Sequence, residues 1–196
     1  MPRIVDSEAQ REAVLFATWR AIARHGLAGA TVRRIAKEAG VSTGFISHYF
    51  RDKREVLAAA LTLSNQRSQA RISRKVDGLR GLTALREVIA AVLPLDDERR
   101  LEWIIWLSFW GSAGSDAALA REWRRGRDGW RATLLRLLRE ARDDGEVRTD
   151  IDVEHEADRL VLLIVGLGLQ EGSRRFRKRS LLFVDEHLQT LIKLED

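Results

Sequence analysis

Residues 31–53 read TVRRIAKEAGVSTGFISHYFRDK, and the order of caps and apolar residues in this stretch decides the fold. Thr31 is placed to cap a short helix over Val32–Ala39, which turns Val32, Ile35, Ala36 and Ala39 inward and leaves Arg33, Arg34 and Lys37 outside. Gly40 ends that helix. Ser42 then caps a second short helix over Thr43–Tyr49, and Asp52 with Glu55 three residues later caps a third, longer one. Two helices of about two turns joined by a tight Gly-Val link form a helix-turn-helix.

The second helix of such a pair lies in the DNA major groove while the first crosses the backbone, so the reading helix must be slim and polar on its outer face. Thr43, Gly44, Ser47 and His48 satisfy this, Phe45 and Ile46 anchor inward, and Tyr49-Phe50 closes the helix against its neighbours.

Upstream, Ser7-Glu8-Ala9-Gln10 has the form of a capping box and predicts a helix start. Val14, Leu15, Ala17, Thr18, Ala21 and Ile22 recur at three- and four-residue steps, and His25-Gly26 predicts its end. Downstream, the helix opening at Lys53 runs on toward Ile72, longer than the head needs, and so connects head to body. Breaks at Gly78 and Gly81, Pro94, residues 111–115 and 143–145 leave helical segments near 83–93, 97–111, 116–142, 153–172 and 180–194. The expected fold is all-α, with about nine helices: a head domain over residues 1–56 and a larger helical domain over 57–196. Alternating strand patterns and fixed-period repeats are missing from the sequence.

Taken as a block, residues 31–53 resemble the DNA-binding head of the TetR family of transcriptional regulators, and Gly40–Lys53 most resembles its BetI branch, whose best-known members respond to choline. The resemblance spans about the first 60 residues; residues 100–172 follow the branch more loosely. It implies that Arg33, Thr43, Gly44 and Ser47 face bases, that Thr31, His48, Tyr49 and Lys53 lie near phosphates or the groove wall, and that Ser42 belongs to the same surface. Ser47 is smaller than the side chain some relatives carry there, which shifts weight toward operator shape. A repressor released from a palindromic operator by a small-molecule inducer, a quaternary amine among the candidates, is the implied function. A DNA-binding architectural protein without a sensing role is the alternative.

In the body, Trp103, Trp106 and Trp110 fall at i, i+3 and i+7, and Trp123 and Trp130 follow on the next helix. Indole faces attract a quaternary ammonium through their quadrupole. Trp103, Trp106, Trp110 and Trp130 are therefore candidates for a cation cage, with Glu171, or Glu102, Asp116 or Glu122, supplying charge. The same stripe also reads as plain core.

Leu160–Leu169 is apolar all round, so that helix is covered on more than one side. In TetR-like proteins the last two long helices pair with their copies, which implies a homodimer interface at Leu160, Leu163, Ile164, Leu167, Leu188, Leu191 and Ile192. The basic run Arg174–Arg179 between those helices is expected to be a solvated loop.

Charge distribution agrees with a nucleic-acid-binding head. Residues 1–56 hold 10 Lys/Arg and 6 Asp/Glu, while the remainder holds 24 and 23, so +4 of the net +5 sits in the head. The chain has no cysteine, which excludes disulfides, thiolate metal sites and a thiol nucleophile. His25, His48, His155 and His187 are scattered without metal-ligand spacing, and no nucleophile-elbow motif occurs, so neither catalysis, cofactor nor metal is expected. Met1–Arg11 lacks the apolar segment of a secretory signal, and the longest apolar run is too short to span a bilayer, so a cytoplasmic location is expected.

Overall fold

The structure is a computed structural model that describes residues 3–112, 117–170 and 174–192. These residues form nine helices: α1 (Arg3–Gly29), α2 (Val32–Ala39), α3 (Thr43–Tyr49), α4 (Lys53–Val76), α5 (Gly81–Val92), α6 (Asp97–Ser112), α7 (Ala117–Asp143), α8 (Val153–Leu169) and α9 (Arg174–Gln189). Among them there is no strand, only an isolated antiparallel bridge between Val147 and Ile192. No described helix is long and apolar enough to cross a membrane. Packing divides the chain into two compact units, residues 1–66 with 101–124 and residues 67–100 with 125–196.

The first unit contains the helix-turn-helix. Thr31 Oγ1 accepts from the Arg34 amide at 3.3 Å, and Ser42 Oγ accepts from the Phe45 amide at 3.1 Å, so both short helices start on the predicted caps. Gly40 ends α2 in the left-handed region, with φ of 69°, where a side chain is strained. Asp52 Oδ1 accepts from the Glu55 amide at 2.9 Å, while the Glu55 carboxylate takes the Arg51 amide at 2.7 Å, giving α4 a reciprocal cap. The Arg51 amide and guanidinium together hold the Glu55 carboxyl below its ordinary range. Val14, Leu15, Trp19 and Ile22 of α1 are buried, as are Ile35 of α2, Ile46 of α3, and Val56, Leu57 and Leu61 of α4.

Two details of α1 depart from expectation. The helix already runs from Arg3, so Ser7 lies inside it rather than at a cap, and its hydroxyl reaches Tyr49 instead. At the other end Gly26, with φ of 68° and ψ of 171°, kinks the chain as expected of a stop signal, but helical geometry resumes to Gly29.

In the second unit α5 packs on α9, where Arg86 forms a two-pronged pair with Asp185 at 2.6 and 3.0 Å. Leu134, Leu137, Leu138 and Ala141 of α7 are wholly buried, with Leu160 and Ile164 of α8 and Val184 of α9. Asp152 caps α8 by accepting from the Glu154 and His155 amides. Arg131 of α7 bonds both Asp158, at 2.5 Å, and Glu154, at 3.1 Å, of α8. The run Arg174–Arg179, expected as a loop, is the first part of α9. Its arginines and lysine favour helix as strongly as they favour water, and charge alone does not distinguish a loop from an exposed helix.

Candidate nucleic-acid interface and aromatic cluster

On α3, Thr43, Gly44, Ser47 and His48 are exposed, as is Ser42 at its cap, while Ile46 is buried and Phe45 half-buried. One turn of side chain therefore holds the helix to the head and the opposite face stands free. Ser47 donates to the Thr43 carbonyl at 3.1 Å, which keeps that face low. A Cβ on Gly44 meets only Ser42 Oγ, at 3.7 Å, so glycine there serves surface relief rather than internal packing.

Thr31, Arg33 and Thr43 come together in a shallow concavity of about 670 Å³ that Arg34, Ala36, Lys37 and Val41 also line. Arg33 and Lys37 are exposed. Arg34 is partly committed to the head, donating to the Gly29 carbonyl at 2.9 Å. The outward placement of Lys37 and Arg34 on α2 is legible from its periodicity, but their sharing a concavity with Thr43 depends on how α2 meets α3.

Tyr49 and Lys53 hold internal contacts. Tyr49 is half-buried; its hydroxyl receives a hydrogen bond from Ser7 at 3.4 Å and donates to Gln10 Oε1 at 3.3 Å, tying the end of α3 to α1. Arg11 stacks over Phe50, 5.2 Å from the ring centre, at the same seam. Lys53 Nζ donates to the Ala28 carbonyl at 2.8 Å, pinning the start of α4 to the corner between α1 and α2. An ammonium has three donors, so this bond leaves capacity for a phosphate.

Elsewhere in the first unit, Trp103 and Trp106 are buried with ring centres 5.4 Å apart at 65°, and Trp106 meets Trp123 at 5.2 Å and 37°. Glu102, which precedes Trp103 on α6, is buried too. Trp110, expected to share this face, is instead 48% exposed. Its heptad spacing from Trp103 places it on the same side of α6, but burial needs a covering neighbour as well as a direction, and Trp110 stands in the last turn. Trp123, on the next helix, joins the ring cluster in its place. Trp130 is buried in the second unit. Glu171 and Asp116 lie outside the described residues. The Glu122 carboxylate points at α4, where Thr62 Oγ1 approaches Oε2 at 3.4 Å.

Of the residues expected to pair two copies, Leu160, Ile164, Leu167, Leu188 and Leu191 are buried within the single chain, and Leu163 and Ile192 are half-buried. Among the described residues, the large apolar side chains left outside on these helices are Leu162, Leu169 and Leu182, at 71, 49 and 51% exposure. Periodicity identified helices apolar on several sides without saying which side their own chain covers.

Residues 14–60 match the tetR family of bacterial regulatory proteins, and residues 82–193 match the C-terminal domain of BetI-type transcriptional repressors. The chain is 31% identical over 170 residues to the HTH-type transcriptional regulator PksA of Bacillus subtilis, covering 86% of this chain and 82% of that protein. It is 34% identical over 124 residues to the HTH-type transcriptional regulator BetI of Escherichia coli O127:H6, covering 62% and 64%. Among solved structures, a transcriptional regulator from Saccharomonospora viridis, crystallised in complex with choline, superposes with a TM-score of 0.88 at 26% identity, covering 96% of this chain and all of that one.

Proposed function

Because the chain belongs to the TetR family of bacterial regulatory proteins and carries a BetI-type repressor domain, we propose that it is a dimeric repressor released from a palindromic operator by a quaternary ammonium compound. Its class is a DNA-binding transcriptional regulator rather than an enzyme. The DNA-binding domain takes residues 1–56 and the ligand-binding and dimerisation domain residues 57–196, acting on DNA in the cytoplasm.

The observation that carries the DNA side is the free polar face of α3, with Ser42, Thr43, Gly44, Ser47 and His48 exposed on a helix anchored by Ile46. This face enters the major groove, with Arg33 and Thr43 toward base edges and Thr31, Lys37 and Lys53 toward phosphates. Tyr49 acts chiefly by holding α3 against α1. Pairing of two copies sets the two reading helices about 34 Å apart, one turn of DNA, or a multiple of that. Leu162, Leu169 and Leu182 form the outer surface of the pairing helices, and Leu160, Leu163, Ile164, Leu167, Leu188, Leu191 and Ile192 support it from beneath or at its edge.

For the inducer, the supporting observation is the cluster of Trp103, Trp106 and Trp123, with the buried Glu102 on the same helix as the first two, together with choline in the S. viridis regulator. Each indole face contributes about 0.5–2 kcal/mol to a desolvated ammonium, and the carboxylate balances its charge. Trp110, in the same unit, stands as an outer candidate. Isothermal calorimetry with choline, glycine betaine and an isosteric neutral alcohol tests this, paired with footprinting on a duplex selected by the protein from random sequence. Heat with the cations alone and release of a protected palindrome are expected. Heat from none of them refutes the cation cage, and uniform protection of any duplex refutes operator recognition.

A further inference from the structure

Two of the joints that helix α4 makes within the first unit differ in strength. At Ala60 its carbonyl accepts the Trp19 indole N–H at 2.9 Å in a fully buried setting, a firm link to α1 and the DNA-binding head. Two residues on, Thr62 Oγ1 divides its one proton between the Ala58 carbonyl at 3.0 Å and Glu122 Oε2 at 3.4 Å. Three residues after Thr62, Asn65 Nδ2 reaches the backbone carbonyl of the same Glu122, also at 3.4 Å. Hydrogen bonds of this kind have their usual optimum near 2.7–3.0 Å, so both contacts with Glu122 sit at the loose end of the range. A displacement of α7 of a few tenths of an ångström makes or breaks them.

Glu122 is followed on α7 by Trp123, whose ring lies 5.2 Å from that of Trp106. A change in how the indole cluster packs thus acts on the residue next to Glu122, and Glu122 meets α4 two residues from the buried bond between Ala60 and Trp19 of the head. We infer that Glu122 is a positioning residue that couples the packing of Trp103, Trp106 and Trp123 to the operator-binding posture of the head, through Thr62 and Asn65 of α4. The inference rests on the reading of the head as an operator-binding unit, but not on the identity of the inducer. The coupling is reciprocal, so operator binding also shifts the indole cluster.

The test is a double-mutant cycle on the full-length protein, read as Kd for a duplex selected by the protein from random sequence. One change is Trp106→Phe, with Trp106→Tyr as its replacement if the first does not fold. The other is the pair Thr62→Val and Asn65→Ala, which removes both donors of α4 and leaves Glu122 and Trp123 in place. In the wild-type background Trp106→Phe is expected to change Kd on the order of fivefold or more, within the span of ordinary allosteric couplings. In the donor-free background that effect falls below about twofold, and Thr62→Ser with Asn65 retained restores it. A contact with a purely structural role lowers the thermal midpoint but leaves the two changes multiplicative in Kd. An undiminished effect of Trp106→Phe without the donors overturns the inference, as does no effect of Trp106→Phe on operator Kd in the wild-type background. Choline added as a separate arm, followed by calorimetry, tests the inducer class independently: absent heat refutes the cation cage while the cycle still decides the coupling.

Discussion

The indole Nε1 of Trp19 donates to the carbonyl oxygen of Ala60 at 2.9 Å, joining α1 to α4 across 41 positions of sequence with neither partner accessible to solvent. A side chain this large, wholly buried and with its only polar atom satisfied, organises the head around itself. Trp19→Phe removes the donor and leaves a void, and is expected to cost about 2–3 kcal/mol. Urea denaturation checks this. A loss below about 0.5 kcal/mol excludes the bond as a principal joint of the head.

Ser42→Ala takes away the cap that starts the reading helix. The expected loss is about 1 kcal/mol of stability. Operator affinity falls further than affinity for random duplex, because the shape of α3 is used only in specific binding. Fluorescence anisotropy on both duplexes measures the difference, and equal losses on the two argue against groove reading by α3.

Lys53→Ala and Arg33→Ala separate two kinds of contact. Lys53 holds the Ala28 carbonyl and has donors to spare, so its loss weakens binding to every duplex and lowers the salt slope by about 0.9 for each phosphate contact removed. Arg33→Ala lowers discrimination between the operator and its single-base variants, by about 1–3 kcal/mol at the affected position. Salt titrations and a panel of variant duplexes distinguish the two, and identical behaviour of both proteins removes the distinction.

Leu162→Glu and Leu160→Glu differ although the residues are two apart. Leu162 is 71% exposed and Leu160 fully buried. The first change leaves the chain folded and drives it to a monomer that has lost operator binding. The second places an unpaired carboxylate in the core and unfolds the chain, at a cost above about 4 kcal/mol. Sedimentation and circular dichroism read both outcomes; a folded Leu162→Glu dimer moves the interface elsewhere.

Asp158 is one source of acid sensitivity. The Arg131 guanidinium, by hydrogen bond and charge, holds its carboxyl below the ordinary value. A lowered folded-state value means that the stabilisation is present above the unfolded value and lost as pH falls through the folded one. The thermal midpoint therefore declines as pH drops from about 4 toward lower values, and Arg131→Gln flattens that part of the profile. An unchanged acid limb in Arg131→Gln rejects the pair as its source.

What the sequence determined alone was nearly everything local. Caps at Thr31, Ser42 and Asp52, the stop at Gly40 and the apolar spacing of α1, α2 and α3 are interactions within four residues, so residue identity and order suffice to place them. The all-α fold and the polar face of α3 follow from the same short-range rules, as does the likeness to TetR heads. Tertiary structure decided the rest: that Tyr49 turns to Ser7 and Gln10, that Trp123 rather than Trp110 joins Trp103 and Trp106, that Glu122 meets Thr62, and that Leu162 rather than Leu160 faces outward. Each of these depends on which faces of distant helices meet, and periodicity supplies a direction around a helix axis but not the neighbour that lies in that direction.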